Sequence, residues 1–203
     1  MLKSLVGAAD AQVVATEETT DTMTSFTSQA AALVAAKPDV IFDVDSVTNT
    51  VLAASALTTA GFHGPILGSS AVGAYAALKK INLPNLMGYQ QSTVATEGDA
   101  LYEAAAAVGA QNDAMETNYF SSGFGAMYTM ALVLRKCGPT CTSSQFIQTA
   151  ETMGNINVPD GAYFGPIRFS SSSHFGLTSM QFFKLNSSKT GIVPAGKPLA
   201  LQS

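Results

Sequence analysis

The sequence predicts an α/β fold with a parallel sheet, because one strand–helix unit occurs three times in the first ninety residues. In each unit a short apolar run precedes an amphipathic helical pattern. The runs span residues 11–16, 39–44 and 65–68, and a fourth run at 86–90 follows the third helix. Strands that alternate with helices of this length indicate a parallel sheet with helices on both faces. Such sheets bind ligands at the carboxyl ends of their strands.

The three helices of these units have small apolar faces that suit close packing on a sheet. The face of the first helix consists of Phe26, Ala30, Leu33 and Val34. We expect Asp21 or Thr24 to provide its N-cap, since short polar side chains satisfy the first free amides of a helix. The second helix carries an Ala-rich stripe over residues 52–60 and stops at Gly61. The third is predicted over residues 71–81.

After residue 91 the alternation of strands and helices stops. The periodicity predicts helices over residues 97–108, 119–136 and 143–153, the last with Thr142 or Ser143 as its cap. Strands are expected at 165–169 and 180–185, with a surface loop at 170–173 and an extended tail after 191. The predicted secondary structure therefore changes near residue 92, from alternating strands and helices to helices, and again near residue 175.

The composition excludes several classes of protein. The net charge is −4, only 12% of residues are charged, and no Lys/Arg cluster is present, so a nucleic-acid partner is not expected. No run of eighteen apolar residues indicates a membrane span. The first nine residues are too short for a secretion signal, so this chain is expected to lack one. We interpret them as the end of a helix, which predicts that the chain is the later part of a longer protein.

Two cysteines, Cys137 and Cys141, flank a Gly-Pro pair. The turn could bring the sulfurs together in a disulfide, and the low charge and abundant Ser/Thr also suit an exported protein. The alternative is two free thiols in a cytosolic protein. A metal site is not expected, because His63 and His174 lack ligand spacing to the cysteines.

Motifs of catalysis are not found. The chain has no dinucleotide-binding or phosphate-binding glycine motif, and the glycines around Ser122 lack the spacing of a nucleophile elbow. The two histidines are predicted to lie in loops. We therefore expect neither enzymatic activity nor a cofactor.

The order of elements resembles the type I periplasmic solute-binding proteins, in the leucine/isoleucine/valine-binding branch that serves ABC importers. The matching stretches are residues 37–42, 59–68, 122–126 and 161–169. None of these motifs is specific alone, but the ordered set covers most of residues 10–190.

The resemblance implies two Rossmann-like, three-layered α/β lobes joined by crossing strands. Residues 1–91 and 175–203 would form the second lobe without its first strand. Residues 92–174 would belong to an incomplete first lobe. The same chain, lacking its other lobe, is expected to self-associate through the face formed by Phe120, Phe124 and Met127.

The resemblance also implies a function. The protein would capture a small polar or amphiphilic molecule, an amino acid or a related compound, between the lobes without covalent chemistry. The protein would be located in the periplasm or outside the cell, and it would deliver this ligand to a membrane permease. The alternative is a ligand-sensing regulatory or receptor domain with the same fold.

Four residues at the predicted strand ends are candidates for ligand binding: Asp45, Ser46, Ser69 and Ser70. Relatives carry an aromatic residue near the position of Ser46 and an acidic residue near that of Ser70. These departures argue against a simple branched-chain amino acid, although Asp45 could supply the negative charge.

Other interpretations of nearby residues are structural. The strand-end residues can also be helix caps, and the two roles are compatible. Asp43 is expected to be a satisfied polar group near the end of its strand. Tyr119 and Phe124 could line a pocket, but their helical spacing favours packing in the core.

Overall fold

The computed structural model describes residues 12–73 and 75–201, so the helix end expected in the first nine residues lies outside it. Three parallel strands form one half of the main sheet. They are β1 (Ile41–Asp43), β2 (Ile66–Gly68) and β3 (Leu86–Gln90). Helices α1 (Thr27–Ala35), α2 (Val47–Thr59) and α3 (Tyr75–Ile81) alternate with them, and a 3₁₀ turn at Ser70–Val72 follows β2. The predicted βα alternation is therefore present from residue 27 to residue 90.

The other half of the main sheet is antiparallel. Strand β6 (Ser179–Leu185) returns from the far end of the chain and pairs with β3, and β7 (Ile192–Pro194) pairs with β6. A short strand, β8 (Leu199–Ala200), pairs with the start of β6. The tail thus contains two strands, and the sheet is mixed because the returning strand runs opposite to β3.

The hydrophobic core of this part lies between the sheet and its helices. The most buried side chains include those of Ile66, Leu86, Leu78, Val72 and Ala54. Small residues on α2 allow the helix to lie close to the strands. We call this part, residues 26–90 with 179–200, the sheet unit.

Two expectations for the start of the chain are wrong. Residues 12–16 form no strand, because the backbone makes no ladder with a neighbouring strand within the described part of the chain. Helix α1 starts after Phe26 without a side-chain cap, so neither Asp21 nor Thr24 fills that role. Phe26 is 2% exposed, and its burial in the core places the start of the helix.

Residues 92–177 form a second part, which we call the helical unit. Helices α4 (Ala100–Ala106), α5 (Gln111–Glu116), α6 (Tyr119–Cys137) and α7 (Ser143–Thr152) precede a hairpin of β4 (Ile167–Ser170) and β5 (Ser173–Leu177). Helix α5 and strand β5 were not predicted. The loop expected at 170–173 is the hairpin turn, and His174 lies in β5 rather than in a loop.

The connection between α6 and α7 is closed by a disulfide between Cys137 and Cys141. Gly138 has φ 92°, a conformation that favours glycine, and it turns the chain after α6. Thr142 and Gln145 then form a capping box at the start of α7. The predicted cap at Thr142 is confirmed.

None of the helices within residues 12–73 and 75–201 combines the length and the apolar character that a membrane crossing requires.

Candidate functional site

The carboxyl ends of β1 and β2 bring the four candidate ligand-binding residues together. The strands are in parallel register, with Asp43 opposite Gly68, so the segments that follow them leave the same edge of the sheet. The Ser69 hydroxyl donates a hydrogen bond of 3.0 Å to the backbone oxygen of Asp45. The two strand-end segments are thus joined directly. We call residues 45–46 and 69–70 the strand-end edge.

Ser46 is the N-cap of α2, and its hydroxyl accepts a hydrogen bond of 3.3 Å from the Asn49 amide. Ser69 precedes the 3₁₀ turn but does not cap it with its side chain. The hydroxyl of Ser70 makes no hydrogen bond to the described residues and is partly exposed. Capping therefore accounts for Ser46 but not for the two serines after β2.

The carboxylate of Asp45 accepts three hydrogen bonds. The Thr19 hydroxyl donates to Oδ2 at 2.8 Å, while the Ser46 amide and the Asn49 side chain donate to Oδ1 at 2.7 and 3.0 Å. The side-chain Nδ2 of Asn49 also donates to the backbone oxygen of Thr20 at 3.3 Å. Asp45 therefore fastens the irregular segment around residue 19 to the start of α2. A negative charge at a helix N-terminus is favourable as well.

The sequence predicts a satisfied polar group at Asp43, but one of its two carboxylate oxygens is left unpaired in the described part of the chain. Its Oδ2 atom is buried and has no hydrogen-bond partner among the described residues. Burial raises the pKa of the Asp43 carboxyl, the Thr50 hydroxyl opposes this shift, and the nearby Asp45 charge raises the pKa further. Alternation along β1 turns Asp43 toward the same side as the buried Ile41, which takes the carboxyl away from water.

This raised pKa predicts a pH effect on stability. The folded chain holds the Asp43 proton more tightly than the unfolded chain, so folding loses stability as pH rises above about 4. We expect Asp43→Asn to remove this loss and to be more stable than the parent chain at pH 7. Denaturant titrations at pH 3.5, below the ordinary pKa of 3.8 for this carboxyl, and at pH 7 measure the difference. An equal change with pH in the parent and Asp43→Asn would contradict the assignment.

A separate apolar groove lies in the helical unit, between α6, α7 and the β4–β5 hairpin. Its volume is about 540 Å³. The walls include Val133, Phe146, Ile167, Phe169 and Leu177. A hydrogen bond of 2.7 Å between His174 Nε2 and Glu151 Oε1 lies at the rim. We call this feature the apolar groove; sequence reasoning did not locate it, because its walls come from four separate elements.

Helix α6 turns its small side chains inward and several large ones outward. Ser121, Gly125, Thr129 and Val133 are buried, whereas Met127 is 63% exposed. Phe124 stacks between Phe120 and Tyr128 in a partly buried row. The expectation that Tyr119 packs in the core is wrong, since its side chain is 74% exposed.

The inward face of α6 is small because the ring of Tyr163 occupies the adjacent space. A Cβ atom at Gly125 would overlap with this ring. The Tyr163 hydroxyl donates to the Ser122 oxygen at 3.0 Å, and burial raises its pKa.

The amino-acid sequence matches the profile of the periplasmic binding protein family over residues 2–191. No curated protein matches the chain. Several solved structures have the same fold at low sequence identity.

One of these structures is a substrate-binding ABC transporter protein from Aeropyrum pernix. It has a TM-score of 0.78 and 15% identity, over 98% of this chain and 55% of that one. A branched-chain amino acid ABC transporter protein from Thermus thermophilus, solved with bound valine, has a TM-score of 0.70 and 17% identity. The match covers 98% of this chain and 56% of that one.

A fatty acid ABC transporter substrate-binding protein from Thermomonospora curvata is similar as well. Its TM-score is 0.64 at 17% identity, over 89% of this chain and 48% of that one. The chain thus spans about half the length of the solved proteins it resembles.

The family consists of solute-binding proteins rather than enzymes, in agreement with the sequence prediction. The family match spans more than half of the chain, and the α/β architecture agrees with it. The chain therefore belongs to the periplasmic binding protein family, with the fold of its branched-chain amino acid-binding members.

Proposed function

We propose that this chain is part of the solute-binding component of an ABC importer. The observation that carries the proposal is the family match over residues 2–191 of a chain whose strand ends carry adjacent polar side chains. The ligand would be a small polar or amphiphilic molecule, such as an amino acid or a related carboxylic acid. The solved relatives support this range, since one was solved with valine and another is described as a fatty acid transporter protein.

In this proposal the strand-end edge forms one wall of the ligand cleft. Asp45, Ser46, Ser69 and Ser70 would contribute to it. Ser70 has the hydroxyl that is free to contact a ligand, while Asp45 and Ser69 hold the two segments at a constant spacing. Binding would be non-covalent, and a closed state would be favoured only by the contacts that the ligand adds in it.

We also propose that the two units belong to different lobes of the whole protein. Residues 1–91 and 175–203 would form the second lobe without its first strand, and residues 92–174 would belong to the incomplete first lobe. The exposed Met127 of α6 and the exposed Ile147 of the apolar groove support this division, because such a surface is normally covered. Self-association of the chain through the face formed by Phe120, Phe124 and Met127 stays a prediction.

The proposed partners are a small-molecule ligand and the membrane permease of the importer. The proposed location is the periplasm or the cell exterior. A disulfide between Cys137 and Cys141 is in keeping with an oxidising compartment.

Thermal-shift measurements on the intact protein test the proposed function. The probes are leucine, valine, short-chain and long-chain fatty acids, and aromatic acids. A ligand at a hundred times its Kd should add about 2.7 kcal/mol to the free energy of unfolding, because it binds only the folded protein. Glucose serves as a control solute. The proposal fails if no probe raises the melting temperature beyond the glucose control.

A further inference from the structure

Gln90, the last residue of β3, has a fully buried side chain that does not belong to the strand-end edge. Its Nε2 atom donates a buried hydrogen bond of 2.8 Å to the backbone oxygen of Gly73. Gly73 ends the 3₁₀ turn that begins at Ser70. A side chain from one strand thus reaches the segment that carries two candidate ligand-binding serines.

The same segment lies directly on the backbone of β3. A Cβ atom at Gly88 would overlap with the Gly73 nitrogen, and one at Gly73 would overlap with the Tyr89 oxygen. The side chain of Val72, which precedes Gly73 in this turn, is fully buried. The backbone of β3 therefore fixes the position of the turn at residues 69–73. The amide of Gln90 adds a side-chain hydrogen bond at the end of the turn, and Ser69 adds another at its start.

The carbonyl oxygen of the Gln90 side chain makes burial of this residue unfavourable. Its Oε1 atom is buried and accepts no hydrogen bond from the described residues. An apolar side chain of the same length would fill the space without leaving this acceptor unpaired. A polar residue at this position is thus explained by the bond to Gly73 rather than by packing.

We infer that Gln90 is a positioning residue for the ligand cleft, which sets the place of Ser69 and Ser70 through its bond to Gly73. This inference rests on the proposed function, because it assumes that the strand-end edge contacts the ligand. Gln90 is followed by Gln91 and Ser92, where the chain leaves the sheet unit. Strand β3 therefore contacts the turn after β2 and also leads into the connection between the units.

Gln90→Met tests the inference, with Gln181→Met as a matched control. Gln181 lies opposite Gln90 in the sheet and is 3% exposed, but its amide donates to the Phe182 and Gly196 oxygens instead of to the turn. The readout is hydrogen exchange of the backbone amides of Val72 and Gly73, which donate to the backbone oxygens of Ser69 and Ser70. We expect at least tenfold faster exchange at these amides in Gln90→Met and no such change in Gln181→Met.

A second substitution separates positioning from general stability. In Gln90→Glu the protonated carboxyl can still donate to the Gly73 oxygen, whereas the ionised carboxylate cannot. Protection of the turn, corrected for intrinsic exchange rates, should therefore be restored at pH 5 and lost toward pH 8. A variant that only weakened the fold would lose protection throughout the chain.

Ligand binding is measured on the intact protein with the compound, among leucine, valine, the fatty acids and the aromatic acids, that raises its melting temperature most. We expect its Kd to rise at least tenfold in Gln90→Met and to stay within twofold in Gln181→Met. Equal exchange in the two variants, or faster exchange with an unchanged Kd, would overturn the inference. Failure of the parent protein to bind any probe would instead contradict the proposed function, and the exchange rates would still decide whether Gln90 holds the turn.

Discussion

Gly88→Ala is expected to lower the free energy of unfolding by about 3 kcal/mol or more, in the upper range for an overpacked core. Gly88 is in the middle of β3, where its missing side chain leaves room for the turn after β2. An added Cβ would overlap with backbone atoms of Val72 and Gly73. Backbone atoms cannot rotate away as the end of a side chain can. The strand and the turn would have to separate.

Gly123→Ala is the matched control for this experiment. Gly123 lies within α6, is exposed, and has no atom within 4 Å of an added Cβ. The same chemical change should therefore stabilise the protein by about 0.5–1 kcal/mol, since alanine favours a helix over glycine. Denaturant titration measures both variants. Gly88→Ala with a stability near that of the parent would show that the turn does not lie on β3.

The alternation of strands and helices could be predicted because it is a local pattern. The apolar runs that become β1, β2 and β3 each stand within a few residues of an amphipathic helix, and the resemblance placed the returning strand. The run at 11–16 has the same local pattern but forms no ladder in its described residues. Residue pattern alone does not show whether a neighbouring strand is available to pair.

The arrangement of the site depends on contacts that sequence patterns do not encode. The residues at the strand-end edge were predicted from topology, since parallel strands end at the same side of a sheet. That Asp45 accepts a hydrogen bond from Thr19, 26 residues earlier, has no local signal. Nor does the bond from Gln90 to Gly73, which joins residues 17 apart.

The environments of two side chains differ from the sequence predictions because burial depends on neighbouring elements. Tyr119 is in α6, but the buried face of this helix is formed by Ser121, Gly125, Thr129 and Val133. Two residues before Ser121 correspond to about 200° around the helix, so Tyr119 lies on the opposite, exposed side. Asp43 is at a strand end, where a polar residue usually meets water, yet the helix that follows covers it. In both cases the packing of a neighbouring element decides the exposure of the side chain.

Asp45→Asn is expected to lower the free energy of unfolding by about 2 kcal/mol, the usual range for hydrogen bonds to a charged group. The carboxylate accepts from Thr19, Ser46 and Asn49. An asparagine in the same place has one acceptor oxygen and an NH₂ group that faces donors. It also lacks the negative charge that favours the N-terminus of α2.

Asp39→Asn provides the control, because Asp39 is an exposed carboxylate just before β1 and undergoes the same chemical change. We expect its stability to stay within about 0.5 kcal/mol of the parent. Thermal and denaturant unfolding measure both variants. Equal losses in Asp39→Asn and Asp45→Asn would contradict the three-donor arrangement.

Asp45→Asn should also weaken ligand binding. Ser69 donates to the backbone of Asp45, and Ser46 is the next residue, so loosening this residue disturbs both strand ends. For leucine, calorimetry on the intact protein should give a loss of about 1 kcal/mol or more in binding free energy.

Comparison with 4-methylpentanoate, which is leucine without its ammonium group, separates the two roles of Asp45. A loss confined to leucine would mean that the carboxylate contacts the ammonium, whereas equal losses would mean that Asp45 acts by holding the strand-end edge. Unchanged binding of both compounds would remove Asp45 from the site.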